Sequence, residues 1–307
     1  MKIAVIGAGG VGGYFGAKLI QAGHDLAFVA RGAHLTALQT QGLSVEGAAG
    51  EFTVRPVRAV RDPAAIGPCD IVLFAVKMYD VDAASALIGP LLGPDTLVLT
   101  LQNGIDAPHR LSRGLGARRV LGGAAYISAV ISKPGVIRIA APHARIEFAP
   151  VDGKLAPLAA EFADAGNKAG FTVDVSDNVD AVLWKKFCML ASLSGVTGLT
   201  RSAVGPIRDN PVTAAFLADA VRECVAVAQA HGVVLPDGLA DGIIKTFSRL
   251  PALMKSSQLE DLERGRPLEV EALSGAIVRL GSESGVPTPV HRAILAGLIL
   301  HATGRPS

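Results

Sequence analysis

KIAVIGAGGVG, residues 2–12, begins the chain with a short apolar run and continues as Gly7-Ala8-Gly9-Gly10-Val11-Gly12. The apolar run predicts a buried strand, Lys2–Ile6, and the residues after the turn have helical spacing. The turn fits the pattern G-x-G-x-x-G, in which Gly7 allows the tight turn, Gly9 lets a ligand approach the backbone, and Gly12 lets helix and strand pack closely. With a second strand about twenty residues later, this stretch predicts a dinucleotide-binding βαβ unit whose helix N-terminus holds the pyrophosphate.

The rest of the first half alternates between short apolar runs and helical patterns. The predicted strands are Asp25–Ala30, Asp70–Val76, Thr96–Thr100 and Phe171–Val175, and the predicted helices are Gly10–Ala22, Ala33–Gln41 and Leu155–Gly170. This alternation predicts an α/β domain with a mostly parallel sheet. Short runs with Pro and Gly turns between Val120 and Phe148 predict antiparallel pairing at the end of that sheet.

From about Asn178 the pattern becomes helical throughout. The predicted helices are Val179–Ser192, Pro211–Gly232, Gly238–Arg249, Glu269–Ser284 and Pro289–Ala302. We therefore expect a Rossmann-type NADP-binding domain over residues 1–177 and an all-α domain for substrate and catalysis over residues 178–307.

Composition excludes several classes of protein. The net charge of +2 and the absence of a Lys/Arg run argue against nucleic-acid binding. Cys69, Cys188 and Cys224 lack metal-ligand spacing and are expected to be reduced thiols, so no metal is predicted. The apolar stretches are too short to span a bilayer, and no cleavable signal pattern is recognised, so we expect a cytoplasmic enzyme without a membrane partner.

The residues at the end of the second strand bear on whether the cofactor is NAD(H) or NADP(H). They read Phe28-Val29-Ala30-Arg31, with no Asp or Glu to hold a ribose 2′-hydroxyl. Arg31 instead offers a guanidinium suited to a 2′-phosphate. The pattern therefore favours NADPH/NADP⁺, although Arg31 is also compatible with an exposed loop arginine.

Polar residues follow two further strands, where an open α/β sheet has its ligand crevice. Lys77 lies in Val76-Lys77-Met78-Tyr79-Asp80, and Asn103 lies in Leu101-Gln102-Asn103-Gly104. A surface lysine and a turn-forming asparagine are the alternatives. Their shared position after sheet strands favours a site.

At this point the chain resembles the ketopantoate reductase family (2-dehydropantoate 2-reductases) over essentially its full length. The glycine turn, VKMYD and LQNG are followed by Leu183-Trp184-Lys185-Lys186-Phe187, which is similar to the family's W-x-K motif. Residues 256–261, SSQLED, and residues 265–269, GRPLE, are similar to its S-S-x-x-x-D…T-E-I-D stretch. The resemblance implies NADPH-dependent reduction of a 2-oxo acid.

The resemblance also implies roles for individual residues. Lys186 would be the general acid, Glu269 would bind the substrate hydroxyl and favour the charged lysine, and Asn103 would position the lysine and the nicotinamide. Ser257 would bind the substrate carboxylate, and Lys77 would line the cofactor side of the cleft. Without the resemblance, Lys186 would be on a solvated helix face, Glu269 an acid at a helix start, and Ser257 a cap or loop residue.

The sequence departs from the family after the lysine. Many members continue as K-x-x-x-N-x-x-x-N, whereas this chain has Leu190 and Ser194 at the asparagine positions. A further substrate-side asparagine of some members aligns with Val204. A site built to bind a hydroxyl discriminates strongly, whereas an apolar pocket discriminates weakly. These changes favour an apolar substituent on the substrate.

Three functions remain open from sequence. The first is reduction of 2-dehydropantoate (ketopantoate) to pantoate in the pantothenate and coenzyme A route. The second is the same chemistry on a bulkier apolar 2-oxo acid, giving a D-2-hydroxy acid. The third is a regulatory protein that binds NADP(H) without catalysis, against which the retained Lys186 and Glu269 argue. The oligomeric state is also open, with a homodimer as one alternative.

Overall fold

The computed structural model describes residues 1–48 and 50–305. The chain divides into two compact units. The first contains residues 1–102 and 106–182, and the second contains residues 103–105 and the chain from Leu183 onward. The division of function between residues 1–177 and 178–307 stays a prediction.

The strands of the first unit account for most of its architecture. They are β1 (Lys2–Ile6), β2 (Asp25–Val29), β3 (Leu43–Gly47), β4 (Phe52–Val54), β5 (Arg58–Val60), β6 (Cys69–Phe74), β7 (Leu92–Thr100), β8 (Val120–Tyr126), β9 (Ala129–Lys133), β10 (Val136–Ile139), β11 (Arg145–Pro150) and β12 (Thr172–Val175). Eight of them form one sheet in the order β12-β11-β8-β7-β6-β1-β2-β5. All neighbours in this sheet are parallel except β8 and β11. The predicted mostly parallel sheet is therefore confirmed.

Helices lie between these strands. They are α1 (Gly10–Gln21), α2 (Gly32–Gln41), α3 (Val81–Ser85), α4 (Ala107–Leu115) and α5 (Pro157–Lys168). Short 3₁₀ helices cover Pro63–Ala65, Met78–Asp80, Gly89–Leu91 and Ala117–Arg119. The central strands β1 and β6 are buried except at Lys2 and Asp70, because both faces of a parallel sheet are covered by such helices.

A second sheet was not predicted. β3, β4, β9 and β10 form it in the order β4-β3-β10-β9, with β3 parallel to β10 and the other pairs antiparallel. The antiparallel pairing expected between Val120 and Phe148 is present at β8–β11 and β9–β10, but β9 and β10 leave the main sheet. β12 then adds to β11 in parallel at the edge.

The second unit is helical. Its helices are α6 (Val179–Thr200), whose first residues belong to the first unit, then α7 (Val204–Asp209), α8 (Pro211–Ala230), α9 (Leu239–Phe247), α10 (Ser257–Glu263), α11 (Ala276–Ser284) and α12 (Pro289–Leu298). A 3₁₀ helix, Ile299–His301, follows. Helix α6 is longer than predicted, and α7 and α10 were missed because each is shorter than two turns.

The helix predicted over Glu269–Ser284 is not regular. Its first part, Glu271–Gly275, is a π-helical turn, and α11 begins only at Ala276. The N–H of Gly275 donates to the carbonyl of Val270 at 2.9 Å, which closes the wider turn. Such single π turns often occur at functional sites, and this one begins two residues after Glu269.

Candidate active site

In the glycine turn between β1 and α1, backbone atoms lie too close to Gly7, Gly10 and Gly12 to leave room for a side chain. Gly7 has φ +98°, and a Cβ there would lie 2.8 Å from the carbonyl carbon of Ala75 at the end of β6. A Cβ on Gly12 would lie 2.3 Å from the carbonyl oxygen of Gly7. Real Cβ atoms do not approach backbone so closely, so a side chain at either position would force the turn apart.

Gly9 differs from these glycines because nothing in the described structure requires a glycine there. It is the N-cap of α1 with φ −75°, a value that any residue adopts, and a Cβ would meet no atom within 4 Å. The first N–H groups of α1 have no partner inside the helix and point toward this space. Bare backbone, free N–H groups and a helix N-terminus fit the pyrophosphate of a dinucleotide.

Arg31 and Lys77 lie after the carboxyl ends of β2 and β6 in the same unit. Arg31 is exposed and is the N-cap of α2. Lys77 is half-buried and precedes the 3₁₀ helix Met78–Asp80. The N–H of Ala75 donates to the carbonyl of Ile6 at 2.8 Å, so the chain leaving β6 stays beside the glycine turn. Both cations therefore occupy the edge of the sheet at which a parallel α/β fold binds ligands.

Lys186 is the centre of the arrangement in the helical unit. It lies in the second turn of α6, and its Nζ donates to Oδ1 of Asn103 at 3.0 Å. The preceding Trp184 is buried, with its ring edge-on to Phe187 at 5.5 Å between centroids. Lys186 and Asn103 are distant in sequence, and the structure brings them together.

Burial changes the acidity of this lysine. It lowers the pKa of Lys186 to about 8, because a desolvated ammonium is unfavourable, while the charge of Glu269 acts in the opposite direction. Glu269 is itself buried, with 7% of its surface exposed. A lysine with this pKa is still mostly protonated at neutral pH and releases its proton far more readily than a surface lysine.

The remaining predicted substrate residues have different environments. Leu190 is half-buried one turn after Lys186, and Ser194 is buried a turn further along α6. Val204 is fully buried, so it has no surface to offer a substrate. Ser257 is exposed at the first position of α10, and it is not the cap: Oγ of Ser256 accepts from the N–H of Leu259 at 3.1 Å.

Two buried glutamines were missed by the sequence reasoning. Gln102, next to Asn103 in the chain, donates from Nε2 to the carbonyl of Phe74 at 2.8 Å and so ties the ends of β6 and β7. Gln258 donates to the carbonyl of Ser194 at 3.1 Å. Within the described residues the Oε1 atoms of both are buried without a hydrogen-bond partner. Their position inside LQNG and SSQLED is the signal that could have identified them.

The described part of the chain contains neither a membrane-spanning helix nor a cluster of metal ligands. Over residues 1–48 and 50–305, no helix is long and apolar enough to cross a membrane. In the same part of the chain, no group of three or more His, Cys, Asp and Glu side chains could hold a metal ion.

Comparison with known proteins gives a consistent result. Residues 3–153 match the family model "Ketopantoate reductase PanE/ApbA", and residues 178–301 match its C-terminal counterpart. A 2-dehydropantoate 2-reductase of Mesorhizobium japonicum is 34% identical over 96% of each chain.

Solved structures of ketopantoate reductases also have the same fold as this chain. A PanE/ApbA family ketopantoate reductase from Ralstonia eutropha JMP134 has a TM-score of 0.89 at 34% identity over 98% of each chain. A 2-dehydropantoate 2-reductase from Geobacter metallireducens GS-15 has a TM-score of 0.92 at 29% identity, covering 98% of this chain and 99% of its own. The resemblance predicted from the motifs is thus confirmed, and with it the fold class. The chain belongs to the ketopantoate reductase family and is an oxidoreductase.

Proposed function

We propose that this protein catalyses the NADPH-dependent reduction of a 2-oxo acid to a 2-hydroxy acid, with 2-dehydropantoate, reduced to pantoate for pantothenate and coenzyme A synthesis, as the first candidate substrate. Residues 1–177 would bind the dinucleotide, and residues 178–307 would supply the groups that bind and protonate the substrate. The relatives named 2-dehydropantoate 2-reductase support this choice at 34% and 29% identity.

The Lys186 centre is the observation that carries the proposal. Reduction of a carbonyl requires a proton donor at the oxygen and a positive charge to stabilise the alkoxide that develops there. Lys186 supplies both, because burial lowers its pKa to about 8 and the Asn103 contact fixes the direction of its Nζ. A solvated surface lysine would have neither property.

The reduction adds a hydride and a proton to the carbonyl group of the substrate. The bound cofactor would supply a hydride to the carbonyl carbon of the 2-oxo acid. Lys186 donates its Nζ proton to the carbonyl oxygen, so the C=O double bond becomes a C–H and an O–H bond, and the neutral amine then recovers a proton from solvent. The carboxylate of the substrate takes no part in the bond changes and serves for binding.

Neighbouring residues would prepare this step. Glu269 keeps Lys186 protonated by raising the pKa of its ammonium, and its carboxylate is a hydrogen-bond acceptor for a substrate hydroxyl. Asn103 holds Nζ through its Oδ1. Ser257 has an exposed hydroxyl at the start of α10 and would donate to the substrate carboxylate. Lys77, with Gly7, Ala8, Gly9, Gly10, Val11 and Gly12, would hold the cofactor.

NADPH is proposed over NADH on the basis of Arg31. The end of β2 carries this exposed cation and no acidic residue, so a 2′-phosphate would gain a charge-assisted hydrogen bond and an unphosphorylated ribose would lack its usual carboxylate partner.

A bulkier apolar 2-oxo acid is the second candidate substrate, and Leu190 is the observation that favours it. This side chain is half-buried on α6 one turn after the proton donor, so it offers an apolar surface where a hydroxyl-binding group would otherwise lie. Ser194 is too buried, at 1% exposure, to replace that group at the surface of a site.

A substrate panel tests the proposal. The purified protein is given NADPH with 2-dehydropantoate, 2-oxoisovalerate, phenylpyruvate or benzoylformate, and loss of the reduced cofactor is followed together with the 2-hydroxy acid formed. The highest kcat/KM with 2-dehydropantoate supports the first candidate, and a preference for the apolar acids supports the second. No turnover of any of the four, with NADPH still bound, would contradict the proposed reaction.

A further inference from the structure

His34 lies in the first turn of α2, three residues after Arg31. Its ring connects α2 to the turn between β9 and β10, which is distant in the sequence. The backbone N–H of Gly135, in the turn between β9 and β10, donates to its Nδ1 at 3.1 Å. Because Nδ1 is an acceptor in this bond, the proton of the neutral ring belongs on Nε2.

The other side of the ring faces the glycine turn. Burial lowers the pKa of His34, while a contact with the backbone of Ala8 acts to raise it. Within the described residues Nε2 is buried and makes no hydrogen bond, and the backbone of Ala8 is a polar group close to the ring. The neutral ring thus stands between the turn that would hold the pyrophosphate and the β9–β10 turn.

The β9–β10 hairpin also packs directly on the glycine turn. A Cβ on Gly10 would lie 2.1 Å from the carbonyl oxygen of Ala129, the first residue of β9. A Cβ on Gly13 would lie 3.0 Å from Cδ1 of Ile137 in β10. At the other end of the hairpin, a Cβ on Gly135 would lie 3.1 Å from Cβ of Ala37 in α2. The hairpin therefore contacts both the first turn of α1 and helix α2, and so connects them.

We propose that His34 is a positioning residue for the cofactor: through Gly135 and Ala8 it fixes the glycine turn against the start of α2, so that the pyrophosphate and adenosine-ribose ends of a dinucleotide meet preformed surfaces. This inference rests on the proposed dinucleotide site and adds a residue and the second sheet to it. His34 acts through backbone that binds the cofactor and has no catalytic role of its own. Pre-organisation of this kind increases affinity without adding a contact.

Variants separate the two contacts of the ring. His34→Ala removes both, His34→Asn keeps an acceptor close to the position of Nδ1, and His34→Gln keeps a donor close to the position of Nε2. Gln39→Ala is the matched control, because Gln39 lies on the same helix and donates one hydrogen bond to the carbonyl of Ala59, on the strand β5. Thermal unfolding is measured for each variant to record any loss of stability.

Dissociation constants are measured for NADPH and for NADH by fluorescence titration. We expect His34→Ala to raise both constants by about tenfold and to the same degree, because the turn serves the pyrophosphate that the two cofactors share. His34→Asn should restore most of the affinity, His34→Gln less, and kcat at saturating NADPH should change by less than about twofold. Gln39→Ala should leave both constants unchanged.

The inference is overturned if His34→Ala binds both cofactors as the wild type does. It is equally overturned if Gln39→Ala loses as much stability as His34→Ala and weakens cofactor binding to the same degree. It is also overturned if His34→Asn and His34→Gln, in folded protein, are indistinguishable from the wild type. A wild-type protein that binds neither cofactor would instead contradict the proposed function, and this inference with it.

Discussion

The glycine turn and the Lys186 centre achieve their chemistry in opposite ways. The turn at Gly7–Gly12 works through the absence of side chains: backbone crowds Gly7 and Gly12, and open space lies beside Gly9. The Lys186 centre works through side chains, those of the half-buried Asn103 and Lys186 and of the buried Glu269. The turn is a local feature of one short stretch of chain, whereas the lysine centre exists only in the folded unit.

The difference shows where specificity and reactivity come from. A backbone cradle recognises a shape and charge common to many dinucleotides, and it has no acid or base to offer. The reactivity has to come from a group whose pKa the fold has changed, and Lys186, whose pKa is lowered by burial, is the group that we propose for it. Substitutions in the turn should therefore affect binding, and substitutions at the lysine should affect the rate.

The largest expected effect is that of Lys186→Ala. Loss of the proton donor should lower kcat by about 10²–10⁴, with the dissociation constant of NADPH changed by less than about twofold. Steady-state kinetics and direct cofactor titration measure the two quantities. Lys185→Ala, the adjacent lysine on α6, is the control and should retain kcat within a few-fold. Equal losses in the two variants would show that Lys186 has no special role.

The next effect separates two glycines of the turn. Gly9→Ala places a methyl group in open space and should raise the dissociation constant of NADPH by about 10–100-fold, while the unfolding midpoint falls by only about 2–4 °C. Gly12→Ala collides with backbone and should lower the midpoint by at least about 5 °C as well. Calorimetry and titration check this pair. Unchanged binding in Gly9→Ala would mean that the cradle holds no cofactor.

A smaller effect is expected at Arg31, which concerns only the 2′-phosphate. Arg31→Ala should weaken NADPH binding by about tenfold and leave NADH binding unchanged, because only the former loses a charge-assisted hydrogen bond. The ratio of the two dissociation constants is the measurement. A ratio equal to that of the wild type would remove the basis for preferring NADPH.

Glu269→Gln should change the pH dependence of the reaction. The carboxylate raises the pKa of Lys186, so its removal lowers that pKa, and the decline of kcat/KM on the alkaline side should begin at a lower pH than in the wild type. A pH–rate profile of both proteins provides the test. A shift toward higher pH would contradict the assigned charge interaction.

The two regions also differ in how far the sequence predicts them. The turn and β1 could be predicted because glycine spacing and apolar runs are local signals, and the structure has β1 at Lys2–Ile6 as expected. The second sheet was missed because β3 is short and pairs in parallel with β10, far along the chain. Pairings of this kind depend on tertiary packing, which cannot be read from the periodicity of hydrophobic residues or from strand propensity.

The lysine centre could be predicted only through the family resemblance. Nothing in the residues around Lys186 distinguishes it from the adjacent Lys185, and its contact with Asn103 joins residues that are 83 positions apart in the sequence. The exposed hydroxyl of Ser257 and the cap at Ser256 likewise depend on where α10 begins, which the sequence did not show. The roles of these residues remain predictions for the experiments above.

The most direct test of the account is the rate of a single turnover as a function of pH. Wild-type protein loaded with NADPH is mixed with the best 2-oxo acid of the panel between pH 6 and 10, and the loss of reduced cofactor is recorded. If Lys186 supplies the proton, the rate should be level below its pKa of about 8 and fall about tenfold per pH unit above it. A rate that stays level up to pH 10 would contradict the assignment of Lys186 as the proton donor.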